Sequence, residues 1–353
     1  MLPTIAWKDD RVIMIDQRRL PLEEIYIECH DENQVADAIE KMVVRGAPAI
    51  GVAAAFGVAL GVLRVAPDEN LEGKFNRVCQ RLARTRPTAR NLFWALERMR
   101  MAFDAAKTLN LNALRERLVR EALAVEKEDV ETNKRIGMFG RTLLKDGDSV
   151  LTHCNAGALA TAGYGTAIGV IRAAFEEGKK IQVFVDETRP FLQGARLTVW
   201  ELDKLGIPTT LITDSMAGWL MKKGEIQLAV TGADRIVRNG DAANKIGTYS
   251  LAILARHHGL PLYIAAPLNT FDFRLPRGED IPIEDRPPQE VREAGGCLIT
   301  LPHIRVRNPA FDVVPAKFIT AFISERGIAR PPYRKSLAAW RRETGTKKGK
   351  KSR

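Results

Sequence analysis

The chain has 353 residues, 45% hydrophobic and 27% charged, enough for two domains and a sizeable core, which excludes a disordered or fibrous class. Cys29, Cys79, Cys154 and Cys297 lie far apart without CxxC spacing, and the opening MLPTIAWKDDRV turns charged before any apolar run develops, so free thiols in a reducing cytoplasm are expected. The net charge of +11 suggests nucleic acid until it is located: Arg334–Arg353 holds nine Lys or Arg against Glu343 alone, so the excess is mostly a basic tail and no specific nucleic-acid partner is expected.

Along the chain, RVIMIDQRRLP and EIYIECHD read as an extended start. DENQVADAIEKMVV follows with capping residues and apolar positions at helical spacing. The uncharged run from Gly46 to Leu63 is built from Ala and Gly more than Leu and Ile; it predicts a buried helix begun at Pro48 rather than a membrane span. Helical patterns continue near Leu71–Arg84, Asn91–Ala106 and Leu111–Phe139, so residues 1–145 are expected to form a smaller, mostly helical domain with a small strand element.

From Ser149 the rhythm changes. The β-rich runs SVLTH, IQVFVDE, PTTLIT, IQLAVTGAD and LPLYIAA alternate with ALATAGYGTAIGVIRAAFEEG, GARLTVWELDKLG, SMAGWLMKKG and NKIGTYSLAILARHHG, each near a glycine suited to a helix C-terminus. That alternation predicts an α/β fold over residues 146–333, a Rossmann-like parallel sheet with helices on both faces. Residues 334–353 are expected to be a solvated tail. In such sheets ligands collect at the carboxyl ends of the strands.

Two residues fall at those ends. Cys154 follows SVLTH and precedes a turn read as leading into a helix, a position that favours a thiolate; alone, it could equally be a small core residue. Asp234 follows IQLAVTGA, where apolar surroundings would raise a carboxyl pKa enough for proton donation, unless it merely caps a turn. In GADRIVRNGDAANKIG, two glycines and Asp241 precede Asn244 and Lys245, read as opening a helix, an arrangement suited to an anion. Arg45 and Arg86 stand ahead of helical segments and could aim guanidinium groups at a phosphate; isolated, each would be an ordinary surface residue.

His153 alternates to the face of the strand opposite Cys154, which makes a dyad between these neighbours awkward. GxGxxG and GxxxxGK[ST] are absent from the sequence, and His257 and His258 lack metal-pair spacing. No cofactor or metal is called for.

These segments together resemble the methylthioribose-1-phosphate isomerases of the methionine salvage pathway, whose fold is shared with ribose-1,5-bisphosphate isomerases and with regulatory subunits of the exchange factor for eukaryotic initiation factor two. The resemblance runs through RGAPAIG, RPTARNLFWALERM, LTHCNAGALAT, VDETRPFLQGARLTVWEL, TDSMAGWLM and TGADRIVRNGDAANKIGTYSLAILA to RNPAFDVVPAKFITAFISERG. It implies an aldose-ketose isomerase acting on a sugar 1-phosphate, with Cys154 and Asp234 as the catalytic pair. By the same matching, Arg45, Gly46, Ala47, Arg86, Gln193, Asn244 and Lys245 are implied as substrate-binding positions. A homodimer without a cofactor is implied as well. Arg90 departs from the pattern, where an apolar residue is expected.

Overall fold

A computed structural model describes residues 3–66, 68–87 and 89–345. The chain divides into two compact units: residues up to Lys134 with Ala156–Ile168, and Arg135–Asn155 with the chain from Gly169 onward.

In the first unit, β1 (Ile5–Lys8), β2 (Arg11–Ile15) and β3 (Tyr26–Cys29) form an antiparallel sheet in that order. Helix α1 (Glu32–Glu40) starts where the Asp31 carboxylate accepts the Asn33 and Gln34 N–H groups, which satisfies two of the amides a helix start leaves open. Helix α2 (Ala47–Leu63) is buried along nearly its whole length, as its uncharged sequence requires. It is packed by α1, α3 (Leu71–Ala83) and α4 (Arg90–Ala106), with Phe75 of α3 and Phe103 of α4 stacked at 4.0 Å. α5 (Leu111–Gly140) runs unbroken past the end of this unit. Among the described residues no helix is long and apolar enough to cross a membrane.

The expected boundary at residue 145 is therefore displaced to 134, inside α5, and Ala156–Ile168 joins the first unit. The reason is local. That segment's carbonyls accept from Thr4 Oγ1 (at Ala158) and Gln17 Nε2 (at Leu159), each at 2.7 Å, and Ala162 N–H donates to the Asp129 carboxylate at 2.8 Å.

The second unit contains β4 (Ser149–Thr152), α6 (Ala167–Glu176, entered from the first unit), β5 (Gln182–Asp186), α7 (Val199–Lys204), β6 (Thr209–Ile212), α8 (Ala217–Lys223) and β7 (Leu228–Thr231). The hairpin of β8 (Arg235–Val237) and β9 (Ala242–Lys245) follows, then α9 (Thr248–His257), β10 (Leu262–Ala265) and β11 (Phe271–Asp272). The remainder is α10 (Gln289–Arg292), β12 (Glu293–Ala294), β13 (Cys297–Leu298), β14 (Phe311–Val314), β15 (Ala321–Ser324), β16 (Gly327–Ala329) and α11 (Tyr333–Gly345).

The main sheet has the order β16-β15-β10-β7-β4-β5-β6, parallel throughout except for β16. From β4 the chain winds outward through β5 to β6 and then returns to lay β7 on the other side of β4. Crossovers between parallel strands are right-handed as a rule, so connections that run both ways from β4 put helices on both faces of the sheet. They also create a topological switch point between β4 and β7. β7 and β10 are buried at every position, as fits strands covered on both sides.

A second sheet, β11-β8-β9-β14, departs from expectation. Residues 235–245 are an antiparallel hairpin rather than a glycine-rich loop opening a helix. Its tip bears Asn239-Gly240, with Gly240 at φ +92°, the dipeptide that suits a tight hairpin. The tail departs too. Tyr333, Leu337 and Trp340 recur at helical spacing and are buried on one face of α11, while residues 346–353 lie outside the described residues. Nine basic residues masked that stripe in the sequence.

Candidate active site

Cys154 stands two residues beyond the end of β4, the strand at the switch point. Its backbone is left-handed, φ +65°, a conformation that costs a β-carbon-bearing residue on the order of 1–3 kcal/mol and persists where neighbours enforce it. They do so here. Its N–H donates to Thr188 Oγ1 at 2.8 Å, and its carbonyl accepts from Thr198 Oγ1 at 2.6 Å. Thr188, also left-handed at φ +65°, is fixed in turn: its hydroxyl donates to the Asp186 carbonyl at 2.9 Å. The Thr188 and Arg189 amides donate to the Asp214 carboxylate at 2.8 and 2.7 Å. The expected helix N-terminus beyond Cys154 is not there: Ala158–Ala160 makes one 3₁₀ turn and α6 begins only at Ala167. Gly157 is extended and Tyr164 and Gly165 are left-handed, at φ +75° and +86°, so no helix runs through the segment.

His153 points the other way, as the strand alternation predicts, and is 2% exposed. Its Nδ1 lies 2.9 Å from Asp186 Oδ2 and its Nε2 2.9 Å from the Ile246 carbonyl. Burial works against a charged ring, yet the Asp186 carboxylate, the Ile246 carbonyl and the nearby Asp214 together raise the His153 pKa above its ordinary value. Burial also raises the Asp186 pKa, opposed by His153. Residue-by-residue reading weighed His153 only against Cys154 and did not reach Asp186. The pair's signal was an acidic residue closing β5 beside a histidine just past its neighbour β4. Among the described residues His153, Asp186 and Asp214 are also the group that could hold a metal, with ligand atoms within 4.8 Å of one another.

Asp234 follows β7, the strand on the other side of the switch point, so it and Cys154 leave adjacent parallel strands at their carboxyl ends. It is half-buried, and its N–H donates to the Ala243 carbonyl at 2.9 Å. The pairing of Arg235 with Ala243 places Asp234 across the hairpin from Asn244. Asn244, 5% exposed, donates from Nδ2 to Thr248 Oγ1 at 3.0 Å. Lys245 closes β9 with Nζ 5.0 Å from the Phe311 ring centroid.

Asn244 and Lys245 thus end a strand instead of opening a helix. α9 starts after Gly247, and the Asp312 carboxylate already accepts the Gly247 and Tyr249 amides at 2.7 and 3.0 Å. An anion held here meets side chains rather than the α9 amides. Gln193, 3% exposed ahead of a π-helical turn at Gly194–Thr198, carries a buried Oε1 with no hydrogen-bond partner among the described residues. Such an atom calls for a donor, and a sugar hydroxyl supplies one.

In the first unit, Arg45 is 5% exposed immediately before α2. Gly46 caps that helix at φ +94°, and a β-carbon there would fall 2.5 Å from the Ala160 Cα, so only glycine fits. Ala47 is the first residue of α2, which has no side-chain cap and so leaves its first amides free of one. Arg86, between α3 and α4, sets Nη1 3.4 Å from Met42 Sδ.

Residues 43–331 match the initiation factor 2 subunit family. The chain is 56% identical over 338 residues to a methylthioribose-1-phosphate isomerase of Geotalea uraniireducens, covering 95% of this chain and 98% of that protein. It is similar to the crystal structure of 5-methylthioribose 1-phosphate isomerase from Pyrococcus horikoshii, with TM-score 0.91, 44% identity, and coverage of 97% and 96% of the two chains. A crystal structure described as translation initiation factor eIF-2B subunit delta from A. fulgidus is similar too, with TM-score 0.86 and 45% identity over 96% of this chain and 99% of that one. Over nearly its whole length, then, the chain belongs to the initiation factor 2 subunit family, on its methylthioribose-1-phosphate isomerase branch.

Proposed function

We propose that the chain converts 5-methylthioribose 1-phosphate to 5-methylthioribulose 1-phosphate, the aldose-ketose isomerisation of methionine salvage, with Cys154 and Asp234 as its catalytic pair. The observation that carries the assignment of the pair is their placement at the carboxyl ends of β4 and β7, on either side of the switch point.

The substrate's anomeric oxygen is esterified, so the sugar cannot open to a free aldehyde. Asp234 acts as general acid on the ring oxygen, and the carbon 1 to ring oxygen bond breaks. One hydrogen then leaves carbon 2 and one arrives at carbon 1, while the carbon 2 hydroxyl gives up its proton and becomes the ketone. Cys154 either carries that hydrogen as a proton through an enediolate or positions a direct hydride shift. Lys245 and Asn244 meet the phosphate or neighbouring hydroxyls, and Gln193 Oε1 accepts from a sugar hydroxyl. Arg45, Gly46, Ala47 and Arg86 keep the substrate-binding role that the resemblance assigns them.

The test is proton and phosphorus NMR of the purified protein with 5-methylthioribose 1-phosphate, beside ribose 1,5-bisphosphate. Selective formation of the methylthio ketose is expected. Cys154→Ser and Asp234→Asn should each lower kcat by about 10²–10⁴-fold with unchanged circular dichroism. Full activity in either variant would remove that residue from the mechanism. The name attached to the A. fulgidus neighbour favours a second role as a non-catalytic exchange-factor-type subunit, which absence of turnover on both sugars would support.

The chain is expected to work as a homodimer in a reducing cytoplasm, its four cysteines being free. Trp219 of α8 and Ile253 of α9, on helices packed together, are left 57% and 39% exposed and supply an apolar face for a second copy. Light scattering should give twice the 39.2 kDa chain mass; a monomeric mass would refute the dimer.

A further inference from the structure

We propose that His153 is a positioning residue of the isomerase site: hydrogen-bonded between Asp186 and the Ile246 carbonyl, it locks the Cys154 turn to the turn that follows Lys245. The role rests on the isomerase assignment; the ring's hold on the two turns does not.

The argument begins with donors and acceptors. A backbone carbonyl can only accept, so His153 Nε2 must carry a hydrogen to meet Ile246 at 2.9 Å. Nδ1 faces the Asp186 carboxylate at 2.9 Å, and one further proton must lie between them. Whichever of the two groups holds that proton, both ring nitrogens are engaged, and the imidazole cannot turn without breaking a buried hydrogen bond.

Three segments meet at this ring. The backbone of His153 leads directly into the left-handed Cys154. Asp186 lies two residues before Thr188, whose hydroxyl accepts the Cys154 N–H at 2.8 Å. Ile246 follows Lys245 and precedes Gly247, whose φ is +105°. A β-carbon on Gly247 would come within 2.8 Å of the imidazole Cε1, so the backbone there is shaped around the ring. The thiol-bearing turn and the cation-bearing strand end are thus fixed to the same buried side chain.

The experiment uses the full-length protein, with circular dichroism to confirm that each variant folds. In folded His153→Gln and His153→Asn, kcat should fall about 100-fold, as misplacing a reacting group by an ångström does, with KM little changed. Alkylation of Cys154 by iodoacetamide, followed by peptide mass to separate it from exposed Cys297, should slow about tenfold. Wild-type kcat or an unchanged alkylation rate in both variants would overturn the positioning role. If the wild-type protein turns over no sugar phosphate, the isomerase assignment fails, while the alkylation rate still decides whether His153 holds the Cys154 turn.

Discussion

The residue on which the site turns is held in a backbone conformation that its own β-carbon disfavours. Cys154 at φ +65° would be relieved by glycine, so comparing two inactive variants isolates the backbone term. Cys154→Gly should unfold at a higher denaturant midpoint than Cys154→Ala, by about 1 kcal/mol, because alanine retains the clash and glycine does not. Equal midpoints in urea titrations would show that the turn is unstrained. Thr188 repeats the device one strand away. Two adjacent loops are therefore bent by a network in which Asp186, Asp214, Thr188 and Thr198 each serve a backbone or imidazole partner.

At the scale of elements, the strands and helices with clean periodicity were legible in the sequence, and those shaped by tertiary pairing were not. The expected helices near 71–84 and 91–106 fall within a residue of α3 and α4, because their apolar faces alone set their extent. The β8–β9 hairpin was missed because Ala242 and Ala243 carry little strand propensity and pair with β8 and β14 only once the chain has folded back. That Cys154 and Asp234 stand just beyond the carboxyl ends of parallel strands was legible, since each follows a β-rich run in the sequence. The His153–Asp186 contact was not, because it depends on which strands become neighbours.

α11 supplies a further test. Trp340 is 8% exposed and meets Phe271 edge-on at 5.6 Å, inside the core of the second unit. Trp340→Ala should therefore cost about 3–5 kcal/mol in a urea titration, whereas a merely solvated tail would tolerate it without measurable loss.

On the scale of the whole molecule, the two units are interleaved along the chain, and this bears on the order in which they can form. The first unit takes Ala162 into its core and seats Gly46 against Ala160, yet those residues are encoded after β4. A ribosome that has released residues 1–134 has therefore not released all of the first unit. At about 5–20 residues per second the missing piece arrives a few seconds later. Until then α2, uncharged from end to end, has an incomplete cover. During synthesis this protein presents to the cell an apolar helix awaiting a segment still inside the exit tunnel, a window in which chaperone capture competes with folding.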